Sequence, residues 1–345
     1  MTPEWSIVNI LAARMAKSMD LVEKVTNELE QASRESDQSF LRIADYQCQI
    51  QTGINFCDAI KTSHLNRYRD VIPYHHSLVT LEVPIQYGAK FGASNYINAS
   101  WIRDLKLEDM LTGAGNTDSC GMTYIAAQGP IAETCESFWR MMVEKKVSTV
   151  VMLTKCLERN MLKCEEYFPP KVSQRKKFGT VTVETLDSQD WDGTIHRLIT
   201  VSCQPNKDSK PISWSIDHYQ IESWPDHGVP DSPEILYGIL GVLAELTNGP
   251  VVIHCSAGIG RSGVVIALDM MIRRLQGVSK LLNSNEISDT IAFELLNLEE
   301  VVKVMRQQRS CMVQNAKQFK FCFRVLLQVL ADAIDIVENK NMSKS

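Results

Sequence analysis

Hydrophobic positions along this chain change their period about a quarter of the way in. Ile7, Val8, Leu11 and Met15, then Leu21, Val22, Val25 and Leu29, recur at three- and four-residue steps, the spacing of an amphipathic helix. This predicts one or two helices in the first sixty residues, packed on the body of the fold and broken across the polar run QASRESDQ at 31–38. A partner-binding coiled coil would share the spacing, but the heptads are not sustained. From about residue 95, short runs rich in Val, Ile, Tyr and Thr predict strands over 95–102, 124–127, 149–154, 181–186, 198–203, 215–221 and 251–254. Interleaved with them, the pattern predicts helices over 133–144, 233–246, 261–275, 298–309 and 316–337, with Ser232-Pro233 as a helix start. The alternation implies an α/β fold, a single domain around one mixed sheet. Segments 112–121 and 283–290 read as surface loops.

Composition narrows the class. The 345 residues carry 36 Lys+Arg against 41 Asp+Glu, and the net charge of -5 argues against a nucleic-acid backbone as the main partner. With 17 Gly and 12 Pro, the chain is neither collagen-like nor wholly disordered. The longest uncharged apolar run, 235–244, is half of the roughly 20 residues that a membrane span needs. The opening MTPEWSIVNI has no basic segment followed by an apolar one, so no signal peptide is expected. Ten cysteines are scattered without a CxxC pair, which predicts a reduced, cytoplasmic protein with neither a disulfide framework nor a zinc site.

Candidate chemistry is concentrated in PVVIHCSAGIGRSGVVIA, at 250–267. An apolar run ends at Cys255, a loop of small residues follows, and Arg261-Ser262-Gly263 opens an apolar helix. Small residues let successive backbone N–H groups turn inward, and the helix N-terminus adds positive potential, so such a loop is an anion cradle. A cysteine at its mouth is expected to have a depressed pKa. Arg261 can place two parallel N–H donors on two oxygens of a tetrahedral anion. The pattern admits two readings: a nucleophile facing a bound phosphate, or a sheet-to-helix turn around a structural cysteine.

The run from His254 to Gly263 resembles the signature loop of the phosphotyrosine-specific protein tyrosine phosphatases. Other segments are similar to that family's motifs, in the family's order. They are Asn66-Arg67-Tyr68-Arg69-Asp70, Asn95-Tyr96-Ile97-Asn98-Ala99-Ser100, Gln128-Gly129-Pro130 and Phe138-Trp139-Arg140-Met141. Lys163-Cys164 with Tyr167, Trp224-Pro225-Asp226-His227-Gly228-Val229-Pro230, and Gln314 with Gln318 complete the set. The resemblance runs from about Asn66 to Phe323. It implies a catalytic domain over 61–338, a central twisted mixed sheet flanked by helices. The 1–60 helical extension would pack on it, and 339–345 would be a polar tail.

The same resemblance implies hydrolysis of phosphotyrosine in signalling proteins by a monomer without metal or other cofactor. Cys255 would be the nucleophile, giving a cysteinyl-phosphate. Arg261 and the amides of Ser256, Ala257, Gly258, Ile259, Gly260 and Arg261 would hold the phosphate, and Ser262 would stabilise the departing thiolate. Asp226, in a mobile loop with Trp224, would be general acid and then base; Gln314 and Gln318, at i and i+4 on one helix face, would position water. Tyr68 would wall a pocket of phosphotyrosine depth, and Asp70 would hold the peptide backbone. Glu158 and Lys163 would brace Arg261 and the acid loop, while Tyr167 would hydrogen-bond His254. An exposed thiolate implies reversible peroxide sensitivity.

Three positions depart from the family pattern. His75-His76-Ser77-Leu78 stands where Asp-x-Ser-Arg is usual, which puts the anchoring of the recognition loop in question. Ala127 and Asn315 stand where Thr is common, and Asn can also cap a helix. A binding-only relative would lack Cys255, Arg261 or Asp226, and all three are present. A phosphoserine or inositol-lipid substrate is disfavoured by Tyr68 and by the absence of Lys between Cys255 and Arg261. Segments 106–122 and 278–296 look longer than the family pattern; the apolar stretch 290–293 in the second would cover the core or dock a partner.

Overall fold

A computed structural model describes residues 6–15, 19–58, 60–88, 92–104, 110–111, 122–191, 193–204, 211–225, 228–247, 249–284 and 286–342. The helical start comprises α1 (Ile7–Met15), α2 (Met19–Arg34) and α3 (Ser36–Gln51). The polar run expected to break the chain is helical except around Glu35, whose φ of -92° and ψ of 6° mark the only step between α2 and α3. Gln, Ala, Arg and Glu are sound helix formers, and without Gly or Pro the run turns but does not unwind.

The strands are β1 (Leu78–Gln86), β2 (Ala93–Arg103), β3 (Thr123–Ala127), β4 (Thr149–Met152), β5 (Leu157–Glu158), β6 (Met161–Leu162), β7 (Arg175–Phe178), β8 (Val181–Trp191), β9 (Thr194–Cys203), β10 (Ile212–Ile221) and β11 (Pro250–His254). The remaining helices are α4 (Cys135–Glu144), α5 (Tyr237–Glu245), α6 (Arg261–Asn283), α7 (Asp289–Leu295), α8 (Leu298–Gln308) and α9 (Ala316–Met342). Nine strands form one sheet in the order β1-β2-β3-β11-β4-β10-β9-β8-β7, and β5 and β6 form a separate hairpin.

The centre of the sheet is parallel, β3-β11-β4-β10, and both flanks are antiparallel. β4 and the last four residues of β11 are buried on both faces, and their sequences TVVM and VVIH are correspondingly unbroken by charge. One hydrophobic cluster packs α5, α6, α8, α9 and the N-terminal helices on one face; a second packs α4 on the other. All four parallel strands release their C-terminal loops at one edge, the usual location of a ligand site in such sheets.

β1 was not expected, because Pro84 interrupts its alternation. It lies at the edge of the sheet, where a proline costs no ladder bond, and its register with β2 shifts between Thr80 and Ile85. The 233–246 helix begins as a 3-10 turn over Pro233–Leu236, and Ser232 gives its backbone no side-chain cap. The 283–290 loop is shorter than expected. α6 runs to Asn283, and α7 starts at Asp289 with the Ser288 hydroxyl accepting from the Ile291 N–H. Ala292 is buried and Phe293 packs against the core, so this stretch covers it. Segments 105–109 and 112–121, which hold most of the other long connection, lie outside the described residues.

Candidate active site

The loop from Cys255 to Gly260 joins β11 to the N-terminus of α6, a 23-residue helix whose Gly260 N-cap offers no side chain to its first amides. Two glycines are required here by contact. Gly258 has φ +71°, and a Cβ on it would lie 2.1 Å from the Ala127 carbonyl oxygen; on Gly260 it would lie 2.9 Å from Gln318 Nε2. A fully buried arginine settles which way the peptides face. Arg309 donates from Nε to the Gly258 carbonyl at 2.9 Å and from Nη2 to the Ala257 carbonyl at 3.0 Å. It is held in turn by Ser100 Oγ and Asn98 Oδ1. Drawing those carbonyls outward leaves the loop's N–H groups to line the cradle.

Cys255 is 5% exposed, and the Gly258 N–H donates to its Sγ at 3.3 Å. Burial alone would push this thiol up. The Ser262 hydroxyl and N–H, the Arg261 charge and the Gly258 N–H outweigh it, and the net shift is down. The Ser262 hydroxyl is buried and meets no strict hydrogen-bond geometry with any described residue, so it remains available to the sulfur. Other buried cysteines move the opposite way: burial takes Cys135 up to about 12 and Cys156 up to about 11, and also raises Cys164 and Cys322.

Arg261 is held by the short hairpin. Its Nη1 and Nη2 donate to Glu158 Oε1 and Oε2 at 2.7 and 3.0 Å, and further bonds go to the carbonyls of Leu153 and Pro225. Glu158 also accepts from Thr154 Oγ1 at 2.7 Å. Arg67 joins the recognition segment to this hairpin through the carbonyls of Gly129, Pro130 and Leu162. Ser256 donates its single hydroxyl proton to the Lys163 carbonyl at 2.8 Å, so Tyr68 is the donor in its 2.8 Å bond to Ser256 Oγ.

Tyr68, Asp70, Glu158, Lys163, Cys255, Ser256, Ala257, Gly260, Arg261, Gln314 and Gln318 therefore line one cleft of about 460 Å³. Gly258, Ile259 and Ser262 are buried behind it. A larger cavity of about 1140 Å³ lies between α5, α9 and the β8–β9 hairpin, but neither a thiol nor an imidazole lines it. Chemistry, rather than size, therefore selects the cleft.

Gln314 and Gln318 do not share a helix face. α9 begins at Ala316, Gln314 precedes it, and the Gln314 N–H donates to Gln318 Oε1 at 2.9 Å. Asn315 Oδ1 caps the helix through the Gln318 N–H at 3.0 Å. Asp226 lies outside the described residues. On either side of it, Pro225 bonds Arg261 and Gly228 lines the cleft, while Trp224 is buried edge-on against Phe321. His76 Nε2 lies 3.0 Å from the Gln307 carbonyl, and Ser77 Oγ donates to the Gln308 carbonyl. These bonds tie the recognition segment to the end of α8. No cluster of potential metal ligands occurs among the described residues.

Several residues around the site went unrecognised in the sequence. Arg309, His218, Thr154 and Gln47 all reach it from other elements, and each would pass as an ordinary helix or strand residue. Tyr167 Oη lies 2.7 Å from His254 Nε2 and 2.8 Å from His218 Nε2, with all three side chains fully buried. Gln47 of α3 bridges two segments, donating to Tyr74 Oη at 2.9 Å and accepting from the Cys311 N–H at 3.2 Å.

A mixed sheet that presents a low-pKa thiol and an arginine above a ring of backbone amides defines a cysteine-centred site for a tetrahedral anion. Residues 62–328 match the family model described as protein-tyrosine phosphatase. The chain belongs to the protein-tyrosine phosphatase family. It is 35% identical over 266 residues to human (Homo sapiens) receptor-type tyrosine-protein phosphatase C, covering 76% of this chain and 18% of that protein. It is 30% identical over 292 residues to tyrosine-protein phosphatase non-receptor type 20 of Mus musculus, covering 84% of this chain and 59% of that one. The chain thus spans less than two thirds of either relative. The crystal structure of the catalytic domain of human protein tyrosine phosphatase non-receptor type 18 superposes with a TM-score of 0.67 at 26% identity, covering 88% of this chain and 99% of that one.

Proposed function

We propose that this chain hydrolyses phosphotyrosine in proteins through a cysteinyl-phosphate. The observation that carries the proposal is Cys255, lowered by its donors where other buried cysteines are raised. The thiolate attacks phosphorus as the tyrosyl oxygen leaves with a proton from Asp226. Water then attacks phosphorus, giving a proton back to Asp226, and the P–S bond breaks to restore the thiolate. Arg261 and the loop amides from Ser256 to Arg261 balance the charge on the phosphoryl oxygens, and Ser262 supports the leaving sulfur. Gln314 and Gln318 place the water.

Tyr68 sets the depth of the cleft for an aryl phosphate, and Asp70 holds the peptide backbone. Glu158 and Lys163 support Arg261, Tyr167 orients His254, and Trp224 packs the acid loop. Residues 61–338 form the catalytic domain, 1–60 a helical extension on it and 339–345 a tail; the chain acts as a monomer. No helix among the described residues is long and apolar enough to cross a membrane. A thiolate nucleophile requires a reducing compartment, which favours the cytoplasm. Peroxide converts the thiolate to a sulfenic acid, releasing hydroxide. A neighbouring backbone N–H then displaces water to give a sulfenamide that added thiols reopen.

Phosphate release from a phosphotyrosyl peptide in chelator and reductant tests the proposal. Cys255→Ser should abolish turnover yet keep peptide binding, and Asp226→Ala should trap substrate. Equal rates on phosphoseryl and phosphotyrosyl peptides would refute the assigned pocket depth.

A further inference from the structure

His218 of β10 lies at the end of a buried polar chain that leads to the nucleophile's own peptide. His254 Nδ1 is 3.1 Å from the Cys255 carbonyl oxygen, and its Nε2 is 2.7 Å from Tyr167 Oη, which is 2.8 Å from His218 Nε2. Counting protons fixes the direction of every bond. A carbonyl can only accept, so His254 Nδ1 carries a hydrogen. Burial keeps His254 neutral, with its pKa lowered to about 4, and its Nε2 is therefore bare. Tyr167 must donate its one proton to that nitrogen, and so accepts from the His218 Nε2–H. The neutral ring of His218 is then left with a bare Nδ1, which has no partner among the described residues. These tautomers are assigned from the bonding partners.

We propose that His218 is a positioning residue which, through Tyr167 and His254, holds the Cys255 peptide so that the thiol stays within reach of its donors. Each bond in such a chain polarises the next: a tyrosine that accepts donates more strongly, and an imidazole that accepts at Nε2 donates more strongly at Nδ1. The result is a firm anchor on the Cys255 carbonyl. That carbonyl also packs against Gly129, where an added Cβ would lie 2.7 Å from it. The sulfur depends on this placement because its donors act over short distances, and the Gly258 N–H already lies at 3.3 Å.

Charged groups facing the thiol are Arg261 of α6, Arg309 after α8, Glu158 and Lys163 of the hairpin, and Asp70 of the recognition segment. Arg197 of β9 and His196 face His218. Substituting His218 removes none of them. The inference rests on the phosphatase reading only in taking Cys255 as the nucleophile, and its readout requires no turnover.

The experiment is the pH dependence of iodoacetamide alkylation at Cys255 in the full chain, followed by mass spectrometry of the peptide that contains it. His218→Phe keeps a ring against Phe168 and loses the donor. Its alkylation midpoint should rise by on the order of one pH unit, about tenfold less thiolate below the midpoint. His218→Gln, which retains an N–H near Nε2, should restore the midpoint. An unchanged midpoint in His218→Phe overturns the proposal, as does a His218→Gln midpoint shifted as far as that of Phe. Should His218→Phe fail to fold, Tyr167→Phe cuts the same chain and must shift the midpoint equally. A purely structural role would lower the unfolding midpoint and leave the alkylation profile in place. Wild-type protein inactive on phosphotyrosine would defeat the functional reading, while the alkylation profile would still decide this one.

Discussion

Replacing Glu158 with Gln tests how Arg261 is held. Glu158 is 6% exposed and accepts hydrogen bonds from Arg261 Nη1 and Nη2, Thr154 Oγ1 and the Lys155 N–H. The isosteric amide can keep its oxygen on the side where three of these donors converge, on Oε1. Its NH2 then faces Arg261 Nη2, donor against donor, in place of the 3.0 Å charge-assisted bond. A hydrogen bond to a charged group contributes about 1.5–3 kcal/mol, and removing one partner of a buried ion pair costs about 3–5 kcal/mol. The side chain of Arg261 is 12% exposed and opens on the cleft, so water recovers part of that loss. The expected cost is about 2–3 kcal/mol.

If the whole cost fell on the transition state, kcat/KM would drop by roughly 30- to 150-fold. Because the empty site shares it, a drop of about 10- to 100-fold is expected, with the remainder appearing in urea unfolding. The assay is steady-state turnover of a phosphotyrosyl peptide beside an unfolding curve for each protein. A Glu158→Gln protein within about twofold of wild type in kcat/KM and within about 0.5 kcal/mol in stability would refute the reasoning.

Gly258→Ala should destabilise the fold by roughly 3 kcal/mol and abolish turnover, since φ is +71° and the new Cβ would sit 2.1 Å from the Ala127 oxygen; thermal unfolding and peptide turnover measure it. Gln47→Leu strands the Tyr74 hydroxyl and the Cys311 N–H, and is expected to cost about 2–4 kcal/mol in urea unfolding and to raise KM. Acid should destabilise the protein through its buried histidines, because desolvation lowers His254 from 6.5 to about 4 and His218 well below 6.5. The unfolded chain binds more protons below pH 6.5, so this stability is complete above 6.5 and is lost as pH falls towards 4. For His254 alone it amounts to about 3 kcal/mol. Urea midpoints at pH 7 and pH 5 check the sign.

The sequence by itself determined the cradle, because the cradle is contiguous. Strand, small-residue loop, Arg261 and helix follow one another within 250–267, and local rules of glycine, helix N-terminus and thiolate chemistry suffice to read them. Buried parallel strands were equally legible as unbroken apolar runs, whereas β1 was hidden by a proline that only its edge position excuses. The arrangement of the glutamines depended on where α9 starts, one residue beyond Asn315, and element ends are set by capping in three dimensions.

What holds the cradle in shape was decided by tertiary structure alone. Arg309 reaches the Gly258 carbonyl across 51 residues, Glu158 reaches Arg261 across 103, and His218 meets Tyr167 across 51. A buried arginine, carboxylate or imidazole has no periodicity and no motif of its own. Its partner is chosen by the order in which β11, β4 and β10 lie side by side, which brings their loops to one edge.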